Sequence, residues 1–316
     1  MDIKRREFLV RSVLGVAGAA AAGVAARAAR AAESAAVPAA AEAGIDPTAR
    51  VPLGKSGIMV SRIGFGTGMR GGNRQSNQTR LGERAFGQLL RHAYEQGIVT
   101  FDMADLYGSH SFVANALREM PRNSLVYISK IWWRSGGIPE LERLDADLLV
   151  KRFVRELRTD YIDLVLLHCV VDADWPGQLA RQMETLARLK TEGLIRAHGV
   201  SCHSVAALRA AAAEPWVDAV HARINPYGVK MDAAPEEVVP VLRQLHAAGK
   251  GVTGMKIIGE GEFGDSEEKR QSSVNFVLGL GCVDAMVVGF EAEREVDEFK
   301  ARVTLALRAA ASIAAA

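Results

Sequence analysis

Ile162-Asp163-Leu164-Val165-Leu166-Leu167-His168 is a short apolar run closed by a single polar side chain. Such a run, bounded by turn signals, reads as a strand buried on both faces. Working outward in both directions, the design repeats. Val99–Asp102 ends in Asp102, Leu125–Lys130 closes on Tyr127-Ile128-Ser129-Lys130, and five further runs complete the set of eight: Arg62–Phe65, Ala197–Ser201, Ala219–Ile224, Val252–Lys256 and Ala285–Val288. Helical patterns lie between and after them, at roughly 81–95, 109–119, 142–157, 178–191, 204–213, 235–248, 267–279 and 293–308. Gly97, Gly193, Gly249 and Gly281 punctuate helix-to-strand turns, where a left-handed cap residue is wanted.

Alternating strands and helices of this kind argue for a parallel sheet covered by helices. Eight units in about 265 residues favour an α/β fold of the closed (β/α)8 TIM-barrel type over an open sheet. Before the first unit, Val51–Leu53 and Ile58–Val60 around Lys55-Ser56-Gly57 predict an N-terminal β-hairpin. Chemistry in such barrels sits at the C-terminal ends of the strands. Polar residues that close apolar runs therefore come first.

Composition narrows the function classes. With 49% hydrophobic residues, 39 Lys+Arg and 37 Asp+Glu in 316 residues, the chain is neither a disordered tail nor a strongly basic nucleic-acid binder. Three scattered cysteines (Cys169, Cys202, Cys282) exclude a disulfide framework or a CxxC metal site. Residues 1–45 differ in kind from the rest. Lys4-Arg5-Arg6-Glu7-Phe8-Leu9 precedes a weakly apolar Ala/Gly stretch and a small-residue site at Ala29-Arg30-Ala31, the layout of a twin-arginine signal peptide. An N-terminal anchor or amphipathic helix is the other reading. Cleavage after Ala31 takes away six basic and two acidic side chains, leaving 33 and 35, so the basicity belongs to the signal. The expected organisation is a signal at 1–31, a disordered linker at 32–49 and a barrel at 50–316. It implies the twin-arginine export machinery as a partner, a periplasmic or exported product, and no stable membrane anchor after cleavage.

Gly66-Thr67-Gly68-Met69-Arg70-Gly71 fits G-x-G-x-x-G after a strand, but Gly72 to Gln78 continues as loop where a dinucleotide fingerprint needs a helix. The strand ends carry the stronger signal: Asp102 with Tyr107 five residues on, then Lys130, then His168. A carboxylate, a phenol, an amine and an imidazole at one barrel mouth can converge on one point. The ammonium and imidazole are expected to favour the phenolate, bringing the phenol's acidity toward the working range.

In these motifs the chain resembles the aldo-keto reductase family, from Arg50 to Ala309. The opening Leu53-Gly54-Lys55-Ser56-Gly57, the Asp102–Tyr107 stretch, the Lys130 and His168 strands, Gly193 to Ser201 and Asn225-Pro226-Tyr227 carry the likeness. The resemblance implies hydride transfer between a nicotinamide cofactor and an aldehyde, ketone, sugar or alcohol. Tyr107 would be general acid/base, Lys130 and His168 would tune it, and Asp102 would pair with Lys130. The implied cofactor site comprises Gly66, Thr67, Ser201, Cys202, His221, Met255, Lys256, Glu291 and Glu295. Cys202 stands where the family usually has Asn and His221 where it has Gln, while Met255-Lys256 replaces Tyr-Ser. The acidic stretch Glu291 to Glu295 leans the NAD(P)H choice toward NAD. The C-terminus lacks a long aromatic loop, so an open pocket walled by Trp132, Trp133 and Trp175 is expected. Two rival readings remain: a metal-dependent hydrolase on His168, His203, His221 and Asp102, and a non-catalytic nucleotide-binding barrel serving as redox sensor or structural partner. The implied site contains no metal.

Overall fold

The computed structural model describes residues 44–314, and the expected signal peptide and residues 32–43 of the expected linker lie outside them. The remainder of that linker departs from expectation. Pro47 and Thr48 are buried, Thr48 donates through its backbone and hydroxyl to Asp46 Oδ1 at 2.8 Å, and Arg62 donates to the Asp46 carbonyl. Residues 46–49 are thus ordered, because Thr48 packs where a side chain at Gly97 would stand.

The hairpin pairs β1 (Arg50–Pro52) with β2 (Met59–Ser61), antiparallel, each displaced about one residue from expectation. Eight parallel strands follow: β3 (Ile63–Gly66), β4 (Thr100–Asp102), β5 (Val126–Ile131), β6 (Ile162–Val170), β7 (Ile195–Cys202), β8 (Ala219–Arg223), β9 (Gly251–Met255) and β10 (Ala285–Gly289). They close in sequence order, with β10 pairing β3, as the TIM-barrel reading requires. The covering helices are amphipathic. Ala146–Leu157, for example, buries Leu149, Val150, Phe153 and Leu157 along one helical face.

Strand parity positions the site, because alternate residues point to opposite faces. Val126, Ile128, Leu164, Leu166, Ala197, Ala219 and Ala285 form one buried cluster with Leu53, Ile58 and Val60 of the hairpin region. These residues fill the lower barrel, and the hairpin seals its floor. Continuing each strand by twos from this layer brings Asp102, Lys130, His168, Ser201, His221, Thr253 and Met255 to the inner face at the opposite end. The intervening residues, such as Phe65, Phe101, Val165 and Val200, belong to the outer cluster beneath the helices.

Candidate active site

β4, β5 and β6 deliver Asp102, Lys130 and His168 to the mouth, and a short turn at Asp105–Tyr107 brings in the phenol. Lys130 Nζ donates to Asp102 Oδ2 at 2.5 Å and to the Met103 carbonyl at 2.9 Å. Tyr107 Oη lies 3.3 Å from His168 Nε2, and the Lys130 ammonium sits 5.2 Å from the centre of the Tyr107 ring. All four residues named from the sequence meet at one place.

The electrostatics differ from the sequence expectation in one respect. Burial, joined by the Asp102 carboxylate, pushes the Tyr107 hydroxyl up rather than down. Burial likewise raises Asp102 and lowers Lys130, each opposed by its partner. Whether the proton resides on the amine or the carboxyl, the pair presents little net charge to the phenol. His168 is held well below the ordinary histidine range by burial first, then by Lys130, His203 and His221. Tyr107 therefore stands as a neutral hydroxyl beside a neutral imidazole, equipped to donate a proton.

The phenol rests on bare backbone. A Cβ at Gly71 would come within 2.5 Å of Tyr107 Cδ1, and one at Gly68 closer still to the ring. Two glycines of the G-x-G-x-x-G run thus form a shelf under the tyrosine. They cradle a side chain, not a phosphate.

Above Tyr107 and Asp102 opens a cavity of about 100 Å³ lined by Gly66, Met69, Met255, Lys256, Ile257, Val287 and Gly289 among others. It offers an apolar slot over a polar floor. Asp102 Oδ1, His168 Nδ1, both nitrogens of His221 and Thr253 Oγ1 are buried there or close by without hydrogen-bond partners. A flat heterocycle bearing an amide fits this combination, with ring contacts to Met255 and donors or acceptors at Ser201 and His221. A groove continues the cavity past Gly289 to Glu291 and Glu295, lined also by Asp265, Arg270, Glu298 and Arg302. Among the described residues no group of three His, Cys, Asp or Glu side chains could hold a metal ion, which leaves the hydrolase reading without a ligand set.

A profile of the Aldo/keto reductase family matches residues 62–294. The chain belongs to the aldo/keto reductase family. A Glycine max protein named probable aldo-keto reductase 1 is 29% identical over 222 residues, covering 68% of this chain and 60% of its own length. The NADH-specific methylglyoxal reductase of Escherichia coli is 27% identical over 214 residues, 61% of this chain and 63% of that protein. The chain thus spans roughly half to two-thirds of the curated relatives it matches. Among solved structures, a Pseudomonas aeruginosa protein named putative aldo-keto reductase superposes with a TM-score of 0.67 at 26% identity, covering 85% of this chain and all of that one.

Within this family frame, three residues named from the sequence fall elsewhere. Cys202 follows inward-facing Ser201 and so points outward into the helix-covered core, 1% exposed. Trp175 is fully buried, its ring 6.4 Å from Trp216 and its Nε1 donating to the Ala207 carbonyl, so it walls no pocket. Thr67 spends its hydroxyl on the Asp102 carbonyl at 2.9 Å and on Ser109 at 2.7 Å, holding the end of β4. Trp132 and Trp133 both touch His168. Trp132 meets the His168 ring edge-on at 5.4 Å, and Trp133 Nε1 donates to the His168 carbonyl. Lys256 lines the cavity and pairs with Glu260 at 2.8 Å. Glu295 accepts from the Glu291 amide, and Glu291 accepts from Asn77 Nδ2 at 2.8 Å.

The sequence reading missed Arg223, and it placed His203 among the residues of the hydrolase alternative. Arg223 Nη2 lies 2.5 Å from His203 Nδ1, and His203 Nε2 lies 3.2 Å from Ser201 Oγ. A guanidinium only donates, so Nδ1 accepts and Nε2 carries the proton. Burial first, then Arg223, Lys256, Lys130 and Arg134, bring His203 down to about 3, in keeping with that neutral form. Both ring nitrogens are thereby engaged, and the Ser201 hydroxyl, accepting from His203, keeps its own proton for another acceptor. Strand parity was the available signal for Arg223, two residues beyond His221.

Proposed function

We propose that this family member is a nicotinamide-dependent oxidoreductase acting on a small carbonyl or alcohol, with Tyr107 exchanging the proton. One observation supports the reading above others: Tyr107 Oη at 3.3 Å from His168 Nε2, at the floor of a cavity underlain by the buried Lys130–Asp102 pair. Met255 would hold a nicotinamide in the slot, where that group would supply or accept a hydride. Tyr107 donates its proton to the developing alkoxide. His168, neutral, orients the substrate oxygen and the phenol, while Asp102 keeps Lys130 fixed beneath them. The low polarity around this set strengthens each of these hydrogen bonds.

For the nucleotide, NAD(H) is the favoured form. The groove's two cations are already neutralised: Arg270 by Glu298 at 2.6 Å, and Arg302 by Glu298 at 2.7 Å and by Glu267. Asp265, Glu291 and Glu295 add further negative charge, which suits ribose hydroxyls and disfavours a 2′-phosphate. Titration with NADH and NADPH, followed by a carbonyl panel with whichever binds, tests both points. Tyr107→Phe is expected to lower kcat/KM by about 10²–10⁴-fold, the usual worth of a general acid, with cofactor affinity retained. Cofactor binding without turnover on any carbonyl would favour the redox-sensor reading instead. Residues Lys4 to Leu9 and Ala29-Arg30-Ala31 further support export by the twin-arginine route. Replacing Arg5 and Arg6 by lysine should then hold the protein in the cytoplasm on cell fractionation.

A further inference from the structure

Arg134 contacts the residue that follows His168, and Arg223 reaches the neighbouring stretch through His203, whose amide donates to the Val170 carbonyl. Arg134 Nη1 donates to the Cys169 carbonyl at 3.3 Å, and Cys169 itself turns the chain with φ 61° at the irregularity ending β6. Arg223 approaches from β8 through His203, whose ring centre is 6.2 Å from that of His168. The Cys169 thiol is raised by burial first, pulled back by Arg134 and Arg223, and raised again by Asp232. The Tyr107 hydroxyl also feels Arg223.

These cations are under-neutralised. Arg223 pairs with a single carboxylate, Asp232 at 3.0 Å; its Nη2 faces a neutral imidazole and its buried Nε has no partner. Arg134 has no carboxylate partner among the described residues; its charge lies 5.8 Å from the centre of the Trp133 ring. Nearby, Lys256 is cancelled by Glu260. Two guanidinium groups and one carboxylate leave a net charge of about +1 on the rim, where the surrounding protein screens it less than water would.

We propose that Arg134 and Arg223 form an anion subsite over the Tyr107–His168 pair, selecting small carbonyl compounds that carry a carboxylate or a phosphate ester. This rests on the reductase reading for the position of the carbonyl. With the carbonyl oxygen between Tyr107 Oη and His168 Nε2, a short chain directed past His203 brings its anionic end to the two guanidinium groups. Planar donor forks of this kind match both anions bidentately.

The test compares charged and neutral twins on the cofactor-saturated protein: 4-oxobutanoate against 4-oxobutanamide, and glyceraldehyde 3-phosphate against glyceraldehyde. In the wild type the charged twin of at least one pair should have a kcat/KM about 10-fold or more above its neutral partner, as charge-assisted hydrogen bonds allow. That pair names the anion. In the Arg134→Gln/Arg223→Gln double variant the ratio should fall toward one, an internal comparison that is insensitive to loss of folded protein. A wild-type ratio near one in both pairs, or a ratio unchanged in the double variant, overturns the proposal while leaving the reductase reading intact. Tryptophan fluorescence titrated with succinate and with inorganic phosphate needs no turnover. Saturable quenching lost in the double variant would uphold the subsite even if no carbonyl were reduced and the reductase reading fell; absence of both quenching and turnover would sink the two together.

Discussion

The lower and upper layers of this barrel are built from the same strands and the same inward-facing parity, yet they do opposite work. Below, Val126, Ile128, Leu164 and Leu166 pack against Leu53 and Val60 with no polar atom to satisfy. One step up, Lys130 and His168 occupy the next inward positions of β5 and β6, equally buried, and Asp102, His168, His221 and Thr253 keep orphaned polar atoms. A difference of two residues along a strand separates a stabilising plug from a reactive mouth. The contrast teaches that burial by itself is neutral. What it costs depends on whether the buried group has a partner.

The sharpest way to break the contrast is Lys130→Met. It turns an upper-layer position into a lower-layer one and leaves Asp102 buried without its cation, which costs about 3–5 kcal/mol when one partner of a buried pair is removed. Denaturant unfolding should report that loss, and Lys130→Met/Asp102→Asn should recover part of it while activity stays abolished. Leu164→Ala supplies the counterpart. It is expected to destabilise by about 2–5 kcal/mol, as cavities left by leucine do, with kcat per folded molecule unchanged. Equal activity losses in the two single variants would erase the distinction between layers.

Gly68→Ala probes the mouth from its shelf. The added methyl cannot share space with the Tyr107 ring, so the phenol must move. A misplaced acid is expected to cost about 10²-fold in kcat/KM with little change in Tm, since the lower layer is untouched. Smallest of the effects is a pH dependence that centres on the mouth and is shared by His198, which burial lowers to about 4. His168 and His221 sit well below the ordinary histidine value of 6.5, and His203 is near 3, each chiefly because of burial. As pH falls below about 6.5 the unfolded chain takes up protons that the folded one refuses, so stability declines by about 1.4 kcal/mol per pH unit for each such proton. Asp102, raised by burial, offsets part of this at lower pH. His221→Gln should reduce the slope of ΔG against pH by about one proton.

Much of this arrangement was legible beforehand. All eight barrel strands follow from the alternating apolar runs; Asp102, Lys130 and His168 close three of them, and Tyr107 comes with Asp102, five residues on. Period-two parity also carried more than was drawn from it: if Ser201 faces inward, Cys202 cannot, and Arg223 must follow His221 to the mouth. Other features were beyond such reasoning. Trp175 and Trp132 are chemically alike, and only the path of the loops around them decides that one is core and the other rim. The packing of Thr48 depends on Gly97, far along the chain, and the role of Gly68 and Gly71 depends on where Tyr107 lands. Contacts between loops carry no period to read.

The glycine shelf has a lasting consequence. Two side chains in contact can drift together over generations, one shrinking as the other swells. A phenol lying on naked main chain has no such counterpart with which to trade atoms. Gly68 and Gly71 behave as a ratchet: once the ring had settled there, any return of a side chain at either position means giving up the tyrosine, so variation among descendants should be lowest at these two small residues.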